Sequence, residues 1–371
     1  MNNIDEQITN PFTASFGRKP LKTVGRDFLI SEVVSVLGNW NSEWRSTIIT
    51  GVRGSGKTTA LMTLRDIFRD KGIITVSTTA NEENMLEDIV LGLQRGISAS
   101  SLTLKDAEIN LGVFKIGIGE KEIAKTFKYQ IQDLLANVHA DETPVVFIID
   151  EINNSAALRV FTTAYQAWLQ EGYKVMFLGA GLPWEIEPVL KGKITSFLQR
   201  SQLELLVPLN ECEVAKDFIG AFEDSGKVIP DKIAQDAAEL TMGYPYMFQL
   251  IGSKMWELTL PNQVVTAFDL HLAAAYAKAM MFKNVYALLI PELSEFDNVF
   301  LTEMSVDEGW TLMSMLRERT GKEINYLSNY RQRLLALGLI VGGERGRVRL
   351  ALPFLREFML ERFVYTHEVW D

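Results

Sequence analysis

"IITGVRGSGKTTALMTL", residues 48–64, is the stretch from which the rest of the chain can be worked out. Ser46 to Thr50 reads as a buried strand, and Ala60 to Arg69 carries apolar residues at helical spacing. Between them Gly51 to Thr58 fits G-x-x-x-x-G-K-[ST] at every fixed position. Glycines let the backbone turn tightly, so that its N–H groups and the N-terminus of the following helix face a phosphate chain. Lys57 is placed to reach the terminal phosphates, and the Thr58 hydroxyl to serve magnesium. Gly51, Arg53, Gly54, Ser55, Gly56, Lys57, Thr58 and Thr59 are therefore the candidate contacts of a bound nucleotide with Mg2+. The competing reading, a chance glycine turn, is disfavoured by the strand and helix on either side.

A second signal lies about ninety residues downstream. "PVVFIIDEINN", starting at Pro144, is a continuous apolar run of the kind that fills a parallel strand buried on both faces, and it ends in two carboxylates. Asp150 would hold the metal through its water shell. Glu151, pointing elsewhere, would polarise an attacking water. The bland alternative is an acidic pair that only ends a strand and caps a helix. Further strands are expected in "GIITVSTTA", in "YKVMFLGAG" from Tyr173 and in "LELLVPL" from Leu203, with helices over 83–92, 126–136 and 158–170. That alternation predicts an α/β fold: a largely parallel sheet with helices on both faces. Residues 106–122 alternate apolar and polar side chains with glycines and read as a hairpin without an assigned role.

Composition narrows the classes. The chain has 371 residues, suited to two or three domains, with 47% hydrophobic and 23% charged residues. No run approaches the roughly 20 apolar residues of a bilayer helix, and the start shows no secretion signal, so a cytoplasmic protein without a membrane partner is expected. Cys212 is the single cysteine and cannot form an internal disulfide. His139, His271 and His367 have no metal-ligand spacing. The net charge is −10, yet residues 316–356 hold nine basic residues against three acidic ones, leaving that segment +6 and the remainder −16.

Thr23-Val-Gly-Arg-Asp27 looks like the "VGR(D/E)" box of AAA+ and STAND ATPases. Together with "GVRGSGKT", "FIIDE", "FLGAGLP" and "GYPYMFQLIG", it makes the chain similar to archaeal and bacterial ATP-binding proteins related to origin-recognition initiator ATPases, from Asn10 to about Arg362. The resemblance implies ATP as the nucleotide, with Val24, Gly25 and Arg26 lining the adenine pocket. Arg200 stands where such proteins place an arginine finger directed at a neighbouring subunit; a solvent-facing arginine at a helix end is the equal alternative. Gly243-Tyr244-Pro245 matches the lid motif whose proline approaches the base. In two places the chain departs from the pattern. Tyr246 follows the proline where an arginine is usual, and "FLGAG" offers no polar phosphate sensor. Both favour a slow nucleotide-controlled switch, in ATP and ADP states, over a fast ring motor.

The implied organisation is an AAA+/STAND-type core over 1–207, an all-α lid over 208–283 and a winged-helix domain over 284–371. In the last, three helices precede "LIVGGERGRVRLALP", two strands around a glycine turn. Tyr330, Leu334 and Leu337 should face the core of the third helix. Asn329 and Arg331 would then be directed at solvent or a major groove, with Arg345 and Arg347 of the wing on phosphates of double-stranded DNA. The alternative is a module that meets a protein partner or a second copy of the chain.

Overall fold

In the apolar run Val145–Asp150 side chains alternate between the two faces of a sheet. The computed structural model describes residues 9–13, 25–80, 84–99, 120–140, 142–192, 196–260 and 263–367; most of the expected hairpin at 106–122 lies outside them. The chain divides into two compact units. One consists of Arg26–Gly51 and Lys57–Leu206; the other of Val52–Gly56, Val207–Asp371 and the described residues within Met1–Gly25.

The first unit contains α1 (Asp27–Ser35), β1 (Ser46–Thr50), α2 (Lys57–Asp70), β2 (Ile74–Thr79), α3 (Met85–Ala99), α4 (Glu120–Ala140), β3 (Val145–Asp150), α5 (Ala156–Gln170), β4 (Val175–Gly181), α6 (Pro183–Lys191) and β5 (Gln202–Leu205). The strands form one parallel sheet in the order β2-β3-β4-β1-β5. Val145, Phe147 and Ile149 join Ile89, Phe127, Phe161 and Trp168 in a core on one face. Val146 and Ile148 join Leu29, Val33, Leu61, Leu64 and Phe68 on the other. Burying each such side chain contributes about 1.5–3 kcal/mol, which is why strands covered on both sides are apolar throughout. Successive strands fill the sheet on one side of β1 until β5 crosses to the other. Such a reversal leaves an opening outside the carboxyl ends of the strands, where the loops after β1 and β3 emerge.

The core of the second unit includes Phe12. Its ring sits among Phe218, Phe222 and Phe248, at centroid distances of 5.9, 5.5 and 5.3 Å. Gly252 makes room for it, since a Cβ there would stand 2.3 Å from the ring. The helices are α7 (Glu211–Asp224), α8 (Asp231–Thr241), α9 (Pro245–Leu258) and α10 (Ala267–Met281), followed by a π-helical turn, Phe282–Tyr286, and the short α11 (Ala287–Leu289). Helix α10 buries Leu270, Ala273, Ala277 and Met281 but exposes Phe268, Leu272 and Tyr276.

Beyond it lie α12 (Glu295–Ser305), β6 (Thr311–Leu312), α13 (Met313–Thr320), α14 (Ile324–Ala336), β7 (Ile340–Gly342), β8 (Arg347–Leu350) and α15 (Leu355–His367). The three strands form an antiparallel sheet, β6-β8-β7. Helix α12 starts on a capping box, in which the Ser294 side chain accepts from Asp297 N and the Asp297 side chain accepts from Ser294 N. Asp297 is fully buried and holds Arg333 of α14 at 3.2 Å. Tyr330 departs from expectation. Leu327 and Leu334 are the buried residues of α14. Tyr330 is half-buried, its ring edge-on to Phe296 at 4.7 Å and tilted against Tyr326 at 5.0 Å.

Candidate phosphate-binding site

Strand β1 ends at Thr50, and α2 opens at Lys57. The glycines between them adopt positive φ, +83° at Gly54 and +95° at Gly56, which L side chains adopt only under strain. Ser55 N donates to Val52 O at 3.2 Å, closing a tight turn at the tip of the loop. In the first unit the Lys57 ammonium folds back to donate to Gly51 O at 2.8 Å, and the Thr58 hydroxyl donates to Asp150 Oδ2 at 2.7 Å. Two residues 92 positions apart in sequence are thus in hydrogen-bond contact. Thr59, one residue on, is half-buried.

The far side of that contact is equally specified. Ile152 N donates to Ala180 O at 2.8 Å, and Glu151 N to Asp150 Oδ1 at 2.8 Å. Between them Glu151 takes φ +51°, a left-handed conformation that costs a non-glycine residue about 1 kcal/mol or more. The strained turn separates the two carboxylates: Asp150 bonds Thr58, and Glu151 is exposed. A groove of about 880 Å³ starts at Thr58 and Asp150 and runs along β2, past Arg65, Arg69 and Arg95.

Among the described residues no three His, Cys, Asp or Glu side chains gather in a way that could hold a metal unaided. Thr58 and Asp150 nevertheless fit magnesium, which takes hard oxygen ligands and is commonly held by one or two protein side chains together with substrate phosphates. The strand end "FLGAG" has no room for a phosphate sensor. A Cβ at Gly181 would lie 2.7 Å from Ile152 O, and one at Gly179 would lie 2.8 Å from the Phe177 ring.

In the second unit the loop tip meets the start of α9. A Cβ on Gly54 would lie 2.6 Å from Tyr244 Oη and 3.0 Å from Tyr246 Cβ, and one on Gly56 would lie 3.8 Å from Pro245 Cγ. Arg53, beside them, is exposed. Tyr246 Oη accepts from Asn284 Nδ2 at 2.9 Å. Tyr244 was passed over in the sequence because it fills the variable place of Gly-x-Pro; only coordinates show that its hydroxyl is buried against the loop.

The remaining candidates are dispersed. Val24 lies outside the described residues. Gly25 has φ +60° and approaches Leu209. Arg26 is 9% exposed, and burial lowers its guanidinium to about 10 despite the opposing pull of Glu204. Arg200 is exposed at the end of a 3-10 turn, Ser196–Arg200, two residues before β5. In the C-terminal module Asn329 and Arg347 are exposed, while the Arg345 side chain lies outside the described residues. Arg331 was expected to reach solvent; it is half-buried, with Nη2 3.0 Å from where a Gly342 Cβ would stand. Gly342 has no side chain to keep it out.

A parallel sheet in this order, with a glycine loop between β1 and α2, is the P-loop AAA+ ATPase fold. The chain is similar to the Walker-type ATPase PABY2304 of Pyrococcus abyssi, with a TM-score of 0.66 and 14% identity over 94% of this chain and 99% of that one. It is likewise similar to the ORC2 protein of Aeropyrum pernix in its ADPNP-ADP complexes, with a TM-score of 0.62 and 13% identity over 96% and 98%. At these identities the likeness is one of fold. Residues 283–359 match a family model described as a domain of unknown function, DUF8462. No curated protein matches the chain in sequence.

Proposed function

We propose that the protein is a magnesium-dependent ATP-binding switch that hydrolyses ATP slowly, and that its C-terminal module is a winged helix contacting double-stranded DNA. The observation that carries the nucleotide reading is the 2.7 Å bond between Thr58 and Asp150, beside a lysine held on its own loop. Those groups have the chemistry to share a magnesium ion and the terminal phosphates of ATP. The ion would supply charge neutralisation there. Lys57 would exchange Gly51 O for a phosphate oxygen, and exposed Glu151 would orient and deprotonate water. The Aeropyrum neighbour was solved with ADPNP and ADP, which supports an adenine nucleotide. Val24, Gly25, Arg26 and Pro245 are proposed for the base, and Arg200 for a neighbouring copy. The layout is proposed as a core over 1–207, a lid over 208–283 and the winged helix over 284–371. No described helix is long and apolar enough to cross a membrane, and a cytoplasmic setting is part of the proposal.

A second reading keeps the switch but gives the module a protein partner. The aromatic cluster of Phe296, Tyr326 and Tyr330 favours it, since Tyr326 is 41% exposed on the helix meant for a groove.

The nucleotide reading is tested by calorimetric titration of ATP with magnesium, together with phosphate release. Lys57→Ala should abolish binding. Glu151→Gln should retain ATP and lower turnover by about a hundredfold or more, as removal of a general base does. A Glu151→Gln protein that turned over normally would remove Glu151 from its role.

A further inference from the structure

Tyr244 is a buried side chain that the proposed nucleotide chemistry does not use. It lies at the N-cap of α9, is 4% exposed, and points its hydroxyl at the tip of the phosphate loop. Among the described residues that hydroxyl has no hydrogen-bond partner. Burial, with Tyr246 adding to it, pushes the phenol far above its ordinary value, so the group stays a neutral donor. A buried hydroxyl left unpaired loses its hydrogen bonds to water with nothing in return, and folded proteins rarely carry one without a reason. The surroundings supply the direction. The oxygen sits 2.6 Å from the place a Gly54 Cβ would occupy, beside Gly56 and the start of a fourteen-residue helix. Helix starts and glycine turns both present N–H groups to anions.

We propose that Tyr244 Oη is a phosphate donor: it is unpaired in the free protein and gives its hydrogen bond to a phosphate oxygen of the nucleotide held at the loop. This rests on the nucleotide reading above. It also gives the missing arginine after Pro245 a counterpart, since the lid would reach the phosphates through a neutral phenol one residue before the proline. A neutral donor adds no charge and should bind less strongly than a guanidinium. Tyr244 would thus contact the nucleotide itself and tie the lid to the loaded loop.

The proposal predicts opposite signs for two measurements on one isosteric variant. In the full chain without nucleotide, Tyr244→Phe removes an unpaired hydroxyl and should melt higher than the wild type. With magnesium and ATP, titrated by calorimetry, the same variant should bind about tenfold or more weakly, as expected for a lost hydrogen bond to a charged group. The rise in melting temperature on adding ATP should shrink accordingly. A Tyr244→Phe protein that binds ATP like the wild type overturns the inference and leaves the nucleotide reading standing. So does one that melts lower than the wild type without nucleotide, because its hydroxyl was then already satisfied. If the wild type itself binds no nucleotide, both proposals fall.

Discussion

Asp307, just past the end of α12, is held by side chains from two other positions at once. It accepts from Arg319 Nη1 and Nη2, both at 2.8 Å, and from Thr311 Oγ1 at 2.7 Å. Arg319 Nη1 also donates to Glu303 O at 2.7 Å, so one guanidinium joins α13 to the end of α12. Hydrogen bonds from Arg319, reinforced by the Thr311 hydroxyl and by the charges of Arg319 and Arg356, hold the Asp307 carboxyl below its ordinary value of 3.8. A carboxyl held low in the folded state stabilises it fully above the ordinary value, and that contribution is lost as pH falls through the folded-state value. Asp307→Asn should therefore cost about 1–2 kcal/mol at neutral pH, the size expected of a well-formed bidentate pair at partial exposure. It should also flatten the acid dependence below about pH 3.8. Denaturant melts at pH 7 and pH 3 check both: the wild type's advantage over the variant should be smaller at pH 3 than at pH 7.

At the scale of elements, the packing of α3 on the edge strand β2 shows what the sequence conceals. The helix was expected over 83–92. It continues to Ala99, because Gly92 and Gly96 serve close approach instead of termination. A Cβ on Gly92 would stand 2.9 Å from Val76 Cγ1, and one on Gly96 would stand 2.7 Å from Ile74 Cγ2. Gly96→Ala gains about 1 kcal/mol of helix propensity but forces that overlap, and should be net destabilising by about 1–3 kcal/mol. Ile74→Leu removes the offending methyl, so the double variant should recover part of the loss in a thermodynamic cycle measured by denaturation. Additive effects would mean the helix adjusts freely. The same cause separates the legible from the hidden elsewhere. Strands β3 and β4 were plain because burial on both faces demands unbroken apolar runs. Strand β6 was not, because two residues carry no period. The order of the strands is a matter of pairing partners, which a single chain does not record. At the candidate site, Lys57 and Thr58 could be read from a motif spacing, and Asp150 from the apolar strand that it ends. Tyr244 and the folded-back Arg331 depend on neighbours distant in sequence.

At the scale of the whole molecule, charge decides between the two readings of the C-terminal module. A chain of net charge −10 is repelled by nucleic acid on average, so any affinity must come from the +6 segment at residues 316–356. Arginines on phosphates leave a signature, because each neutralised phosphate releases counterions and steepens the fall of affinity with salt. Arg347 is exposed at the start of β8, next to the glycine turn. Arg347→Ala should weaken binding to a double-stranded oligonucleotide irrespective of its sequence and reduce the salt slope by about 1. Asn329→Ala, on the exposed face of α14, should instead relax sequence preference and leave the slope alone. Fluorescence anisotropy across a salt series, with ATP and with ADP, measures all of these at once. If neither nucleotide state binds DNA with any salt dependence, while light scattering finds larger assemblies with ATP, the exposed Tyr326 of α14 faces a protein and the arginines only keep that face soluble. In that case Tyr326→Ala, and not Arg347→Ala, should dissolve the assembly.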